Sequence, residues 1–201
     1  AIISHMQNSV LPEILARHPG VSYALSGEAE ERSESMDALF SSALLALLVI
    51  YALLAIPLKS YFQPLIIMSV IPFGVVGAII GHYILDMDLV FFSLLGIVAL
   101  SGVVVNSSLV LVDYINKQRT DDSSLETVVA HAGSVRFRPI ILTSITTFVG
   151  LVPMMTDTTI STSLFKPMAV SLGFGVLFGT LITLFLVPCL CLVLDDVSRQ
   201  A

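Results

Sequence analysis

Polar side chains that interrupt long apolar stretches are the residues of this sequence most able to do chemistry. Asn106, Ser107 and Ser108 lie within one such stretch, and Asp113 ends it. On a helix, Asn106 and Asp113 share a face about two turns apart. Polar groups at membrane depth are costly without partners and often mark an ion or proton path. The competing interpretations are an interhelical hydrogen bond for Asn106 and a solvated carboxylate for Asp113.

A second polar face follows two arginines. Arg136 and Arg138 precede Pro139, and Thr143 and Thr147 continue at the spacing of one helix face. A row of hydroxyls next to two cations could line a water-filled path that opens to the cytoplasm. The alternative is that each hydroxyl donates to its own helix, which is common for serine and threonine.

The sequence shows no motif of a soluble enzyme, a metal centre or a nucleic-acid interface. It contains no phosphate-binding glycine loop, no nucleophile elbow and no His/Cys set at metal-ligand spacing. It also contains no stripe of basic and aromatic residues for nucleic acid. Cys189 and Cys191 lie in an apolar run and are interpreted as packing residues. We therefore expect no cofactor and no nucleic-acid partner.

Composition and patterning indicate a membrane protein. Of the 201 residues, 56% are hydrophobic and only 12% are charged, and the mean hydropathy is +0.96. The charges cluster between uncharged runs, and about 20 helical residues suffice to cross the hydrocarbon core. The sequence predicts transmembrane helices at residues 38–56, 64–85, 89–112, 139–156 and 167–194.

The segments around these spans are polar. Residues 1–36, with a short strand at 21–25, are predicted to be the tail of an extracytoplasmic domain. Residues 37–194 form the transmembrane bundle, and residues 195–201 form a cytoplasmic tail. This orientation follows from the distribution of Lys and Arg. The loops on the same side of the membrane as the C-terminus carry more of these residues than the segments on the opposite side.

The loop between the third and fourth spans has a pattern of its own. Ser123 and Glu126 form a capping box, and apolar residues then recur at helical spacing. This pattern predicts an amphipathic helix at residues 123–137 that lies on the cytoplasmic membrane surface. A solvated loop is the alternative.

Small residues recur every fourth position in two spans. Gly77 and Gly81 do so in the second span, and Ser171, Gly175 and Gly179 do so in the fifth. Such stripes let helix backbones approach closely in a membrane. We assign these five residues to helix packing and not to chemistry.

Several sequence blocks carry a family resemblance. In order, they are residues 61–65 (YFQPL), 71–74 (IPFG), 96–113 and 136–144 (RFRPIILTS). With these blocks the chain, over residues 21–194, resembles the last five membrane helices of the resistance-nodulation-division (RND) exporters of the AcrB/AcrD/AcrF type.

The resemblance implies an all-α membrane protein whose five transmembrane helices belong to the second half of a twelve-helix bundle, with a short extracytoplasmic remnant at the N-terminus. It implies a secondary active transporter and not an enzyme, which exports drugs or other amphipathic compounds from the bacterial inner membrane in exchange for protons. The implied partners are the lipid bilayer, a periplasmic adaptor and an outer-membrane channel, with the full-length protein a homotrimer. The fragment alone is expected to transport nothing.

The resemblance also implies a proton relay. In the family, an aspartate pair on the fourth helix faces a lysine on the tenth helix and a threonine and an arginine at the eleventh. Thr143 matches the threonine, Arg136 matches the arginine, and Asn106 occupies the lysine position. Because asparagine carries no charge, the charge balance differs here, and Ser107 and Asp113 are candidate supporting groups.

Two alternatives stay open at this stage. The first is a relative with the same fold and a lipid-related or protein-export role, which two large extracytoplasmic loops in the full protein would argue against. The second is a free-standing five-helix membrane subunit with a structural or assembly role. A native start at a methionine followed by its own first span would favour that second alternative.

Overall fold

The computed structural model describes residues 28–119 and 124–200, and within these ranges it contains helices and no strands. The chain divides into two compact units, Ala1–Phe40 and Ser41–Ala201, and the packing described below lies within the second unit. The helices in chain order are α1 (Glu28–Leu58), α2 (Gln63–Met68), α3 (Ile71–Ile84), α4 (Phe91–Gln118), α5 (Leu125–Thr156), α6 (Ile160–Ser163) and α7 (Lys166–Gln200).

Five stretches of the described chain are long and apolar enough to cross a membrane. They are Glu34–Leu58, Gln63–Ile84, Phe91–Gln118, Leu125–Thr156 and Lys166–Val197. The prediction of an all-α membrane protein with five spans is therefore confirmed. The second span consists of α2 and α3, and each of these helices has a proline in its first turn, where the missing N–H has no intrahelical partner to lose.

The predicted surface helix and the predicted fourth span form one continuous helix. Helix α5 runs from Leu125 to Thr156 with Pro139 in its interior. The apolar face of its first part packs into the protein core, where Val128, Val129 and Ala132 are buried. This segment therefore contacts the bundle with the face that was assigned to the membrane surface. Residue 123 and the predicted strand at 21–25 lie outside the described residues.

Helix α7 is the element against which α3, α4 and α5 pack. Gly77 of α3 lies directly against α7, because a Cβ at this position would be 2.9 Å from the carbonyl oxygen of Phe174 and closer still to the Cβ of Phe178. Gly81 lies one turn further along and faces the ring of Phe174. The two glycines thus let the α3 and α7 backbones approach to a distance that a side chain would prevent.

The contact between α4 and α7 is equally close. A Cβ on Gly96 would be 2.8 Å from the Cβ of Ser171. A Cβ on Gly175 would be 3.0 Å from the carbonyl oxygen of Gly74, and one on Gly179 would be 3.0 Å from a side-chain carbon of α4. The small residues of α7 thus face both α3 and α4.

Buried hydroxyl pairs add polar contacts to this packing. The hydroxyl of Ser144 in α5 lies within hydrogen-bond distance of the Thr180 hydroxyl in α7. The hydroxyl oxygen of Ser108 in α4 lies 3.5 Å from that of Thr183 in α7. Each of these hydroxyls is almost fully buried. Ser108, Thr183 and Ser144 donate to backbone carbonyls of their own helices, so Thr180 is the donor in its pair with Ser144, and the oxygens of Ser108 and Thr183 are only in contact.

A histidine joins α3 to the start of α4. His82 is 2% exposed, and its Nδ1 lies 3.0 Å from the carbonyl oxygen of Ala78, which can only accept. Nδ1 therefore carries the proton, and in the neutral ring Nε2 accepts from the Ser93 hydroxyl at 2.8 Å. The Ser93 oxygen in turn accepts from the backbone N–H of Val90. This chain of bonds fixes the turn between the second and third spans.

Within the second unit, many side chains of α1 are not covered by the other helices. Leu44, Leu48 and Leu53 are each more than half exposed, whereas Leu54 and Leu58 join the core. These exposed side chains are apolar, so their natural surroundings are lipid or another apolar protein surface.

Gly77→Ala is expected to destabilise the bundle by about 1–3 kcal/mol, because the added methyl meets backbone atoms of α7 that move only if the helix moves. The measurement is the unfolding free energy in detergent. Gly133→Ala is the matched control, since a Cβ at Gly133 meets nothing within 4 Å. Equal stability of the two variants would show that α3 and α7 are not in close contact.

The His82–Ser93 bond is tested by a double-mutant cycle of His82→Leu and Ser93→Ala. The two substitutions should be coupled by about 0.6 kcal/mol, the average for hydrogen bonds between membrane helices, and by no more than about 1.7 kcal/mol. The measurement is again unfolding in detergent. If the losses of unfolding free energy of the two single variants simply add in the double variant, the His82–Ser93 hydrogen bond is contradicted.

Candidate functional site

One face of α4 is uncovered and carries Asn106. The exposed residues Gly102, Asn106 and Val110 recur every fourth position, whereas Ser108 and Leu111 on other faces are buried. The Asn106 side chain makes no hydrogen bond within the described part of the chain. Its amide is therefore available to a partner that lies outside the described residues.

The threonines of α5 also lie on a face turned away from α7. Thr143 is exposed, and its hydroxyl donates to the carbonyl of Pro139 at 2.9 Å. Thr147 donates in the same way to the carbonyl of Thr143 at 2.8 Å. The hydroxyl protons are thus held by their own helix, as the simpler interpretation predicted, but each hydroxyl oxygen can still accept a hydrogen bond.

Arg136 is the most unusual side chain of this region. Its guanidinium carbon lies 4.6 Å from the ring centroid of Tyr114, and its Nε is buried with no hydrogen-bond partner among the described residues. No carboxylate of the described chain pairs with it. The side chain as a whole is only partly buried, and Nε is its one nitrogen that is both buried and without a partner among the described residues. A partner from elsewhere would therefore bind the terminal guanidinium nitrogens, which keep their donors.

The two supporting candidates are engaged locally. Asp113 forms an ion pair with Lys117 one turn later at 2.7 Å, and both side chains are substantially exposed. Such a pair contributes little to stability. The Ser107 hydroxyl donates over 3.4 Å to the carbonyl of Val103. In the described part of the chain, neither side chain is hydrogen-bonded to Arg136 or Thr143.

The structure places the remaining predicted residues in helix contacts. Gly77, Gly81, Ser171, Gly175 and Gly179 all lie where α7 meets α3 or α4. The Ser171 hydroxyl is fully buried and has no hydrogen-bond partner within the described residues. Among the same residues, no group of three His, Cys, Asp or Glu side chains could hold a metal ion.

A polar cluster at one end of the bundle was not found from the sequence. The side-chain amides of Gln63 and Asn116 form two hydrogen bonds, at 3.0 and 2.8 Å, between α2 and α4. Nearby, Arg119 forms an ion pair with Asp195, whose side chain is 5% exposed. These four residues line a cavity of about 200 Å³. In the sequence, the one signal for this cluster is the opposite charge of Arg119 and Asp195 near two helix ends. Opposite charge alone does not identify these two residues as partners.

The fold defines a multi-pass membrane bundle, and uncovered polar side chains lie on α4 and α5. The family comparison gives this class a name. The model of the AcrB/AcrD/AcrF family matches residues 4–195, so the chain belongs to this family of RND transporters. The family resemblance derived from the sequence blocks is thereby confirmed.

Individual relatives agree with this assignment. The chain is similar to the multidrug resistance protein MdtC of Proteus mirabilis (strain HI4320), with 30% identity over 176 residues, which covers 87% of this chain and 17% of MdtC. It is 27% identical over 178 residues to MdtC of Pantoea ananatis (strain AJ13355), which covers 88% of this chain and 17% of that protein. The chain thus spans less than a fifth of these relatives.

Solved structures show the same fold. Two crystal forms of a heavy metal efflux pump superimpose on the chain, each with a TM-score of 0.76. The sequence identities are 23% and 24%, and the matches cover 92% and 94% of this chain but only 19% and 20% of the pump. At this identity the likeness establishes the arrangement of helices.

Proposed function

We propose that the chain is the C-terminal membrane part of a proton/substrate antiporter that exports drugs or other amphipathic compounds across the bacterial inner membrane. Family membership and the similarity to a multidrug resistance protein support this role. The observation that carries the proposal is Arg136, a partly exposed cation that lies over the Tyr114 ring and whose Nε has no acceptor in the described chain.

Arg136 is suited to hold an ionised carboxylate from a helix outside this chain, and Thr143, whose own proton is donated to Pro139, is suited to accept from the carboxyl group once it is protonated. They lie on one face of α5 about two turns apart. The guanidinium offers charged donors that remain charged at all physiological pH values. An ionised carboxylate facing α5 would pair with Arg136, and its protonation would remove that attraction. This difference between the two protonation states is what would couple proton transfer to a movement of α5.

Asn106 contributes a neutral amide where the family has a lysine. It can donate and accept hydrogen bonds but cannot balance a negative charge. Two ionised carboxylates near the single cation of Arg136 would repel each other. We therefore propose that one carboxylate of the family's aspartate pair keeps its proton while the other pairs with Arg136. Ser107 and Asp113 lie on the same helix and would act only through water or through movement of α4.

The assembly follows the family pattern. We propose that the full-length protein forms a homotrimer and works with a periplasmic adaptor and an outer-membrane channel. The N-terminal end of this chain is placed on the periplasmic side and the C-terminus in the cytoplasm, in accord with the distribution of Lys and Arg.

Arg136→Ala and Thr143→Ala are each expected to abolish efflux by the full-length exporter without lowering its amount in the membrane. The reason is that Arg136→Ala removes the donors for the ionised carboxylate and Thr143→Ala removes the acceptor for the protonated carboxyl group, while neither side chain is needed for the packing against α7. The measurement is the efflux of a fluorescent substrate from energised cells, with immunoblots for protein amount.

Thr156→Ala is the matched control. Thr156 belongs to the same helix and its hydroxyl also donates to its own backbone, at 3.0 Å to Val152. It lies about 20 Å from Thr143 along the helix axis. Normal efflux by this control and by Arg136→Ala together would exclude the relay.

The proposed orientation is tested with single cysteines. Cys189 and Cys191 are first replaced by alanine, and Asp88→Cys and Ser134→Cys are then made separately; both positions are exposed. An impermeant maleimide should label only the cysteine at position 88 in cells with a permeabilised outer membrane, and both after lysis. Labelling of position 134 before lysis would reverse the proposed orientation.

A further inference from the structure

The contact between Tyr114 and Arg136 joins the two helices that carry the proposed relay. Tyr114 belongs to α4 and Arg136 belongs to α5. The separation of 4.6 Å between the guanidinium carbon and the ring centroid lies well within the range of about 6 Å over which a cation is attracted to an aromatic face. No hydrogen bond or ion pair holds this guanidinium within the described residues.

We infer that Tyr114 is a positioning residue of the relay, which holds the Arg136 side chain in place by its aromatic face. This inference rests on the proposed proton-coupled function. An aromatic face attracts a cation through its quadrupole and does not use the N–H donors of the guanidinium. The donors therefore stay available to the carboxylate whose protonation changes during transport.

The charges around the ring favour this arrangement. Asp113, next to Tyr114 in the chain, is paired with Lys117 at 2.7 Å and so does not compete for Arg136. His131 of α5 packs against the Tyr114 ring as well, with a centroid distance of 6.5 Å and an angle of 35° between the rings. His131 of α5 thus packs against the Tyr114 ring, while Arg136 of the same helix lies over its face. A carboxylate in place of Tyr114 would instead neutralise Arg136 permanently.

The inference predicts which property of the side chain matters. Tyr114→Phe keeps the ring and should keep the transport rate. Tyr114→Leu keeps apolar bulk but removes the quadrupole, and should lower the rate of gradient-driven transport about tenfold. Its affinity for substrate in the absence of a gradient should not change, since the ring does not contact substrate in this account.

The experiment uses the full-length exporter that carries this chain, reconstituted in proteoliposomes. Transport of a fluorescent substrate is measured under an imposed pH gradient for the wild type, Tyr114→Phe, Tyr114→Leu, Arg136→Ala and the double variant of Tyr114→Leu with Arg136→Ala. Tyr83→Leu is the control, because Tyr83 is 87% exposed on α3. We expect the double variant to be no worse than Arg136→Ala alone.

The outcomes separate the two claims. Normal transport by Tyr114→Leu together with inactive Arg136→Ala would overturn the positioning role and leave the relay intact. Normal transport by both would overturn the relay itself. A loss in Tyr114→Phe equal to that in Tyr114→Leu would also overturn the inference, since the hydroxyl would then be the essential group.

A second measurement decides the question if Tyr114→Leu does not accumulate in the membrane. The Arg136 Nε–H resonance, identified by its absence in Arg136→Lys, should be displaced by the ring current of Tyr114 relative to exposed arginines. A resonance at the position of an exposed arginine would overturn the contact and with it the positioning role.

Discussion

The close approach of α7 to α3, α4 and α5 is the contact on which the rest of this structure depends. In lipid, helices gain little from burying apolar surface, so association relies on packing and on hydrogen bonds between helices. Glycine at positions 77, 96 and 175 brings backbones together at distances that a Cβ would prevent. The buried hydroxyl pair of Ser144 and Thr180 adds a polar contact along the same helix.

This packing also decides which residues are left uncovered. Helix α7 packs against one side of α4 and α5, so Asn106 and Thr143 on other faces of these helices are exposed. Arg136 of α5 lies over the ring of Tyr114 of α4, and its Nε has no hydrogen-bond partner within the described residues. Polar groups on an outer face would be costly in lipid. We expect further helices to cover this face, since the chain spans less than a fifth of the length of its relatives.

The helical fold and its spans were predictable because hydropathy over about 20 residues is a strong signal. The helix ends were less predictable. Helix α5 continues through Pro139, because the apolar residues before the proline, such as Val128 and Ala132, pack into the core of the bundle. The contact of Tyr114 with Arg136 and the amide pair of Gln63 with Asn116 depend on how each helix is rotated relative to its neighbour. A periodic pattern gives the face of one helix but not which side chain it meets. The residues proposed for the relay were identified from the family blocks and not from periodicity.

The central claim is that Arg136 exchanges a carboxylate partner as protons move, and proton flux tests it most directly. The full-length exporter is reconstituted with a pH-sensitive dye inside the vesicles, and a substrate gradient is applied. The account predicts proton movement in the wild type and none in Arg136→Ala, although the variant still binds substrate. Proton movement of equal size in Arg136→Ala would contradict the account, because Arg136 would then have no part in coupling.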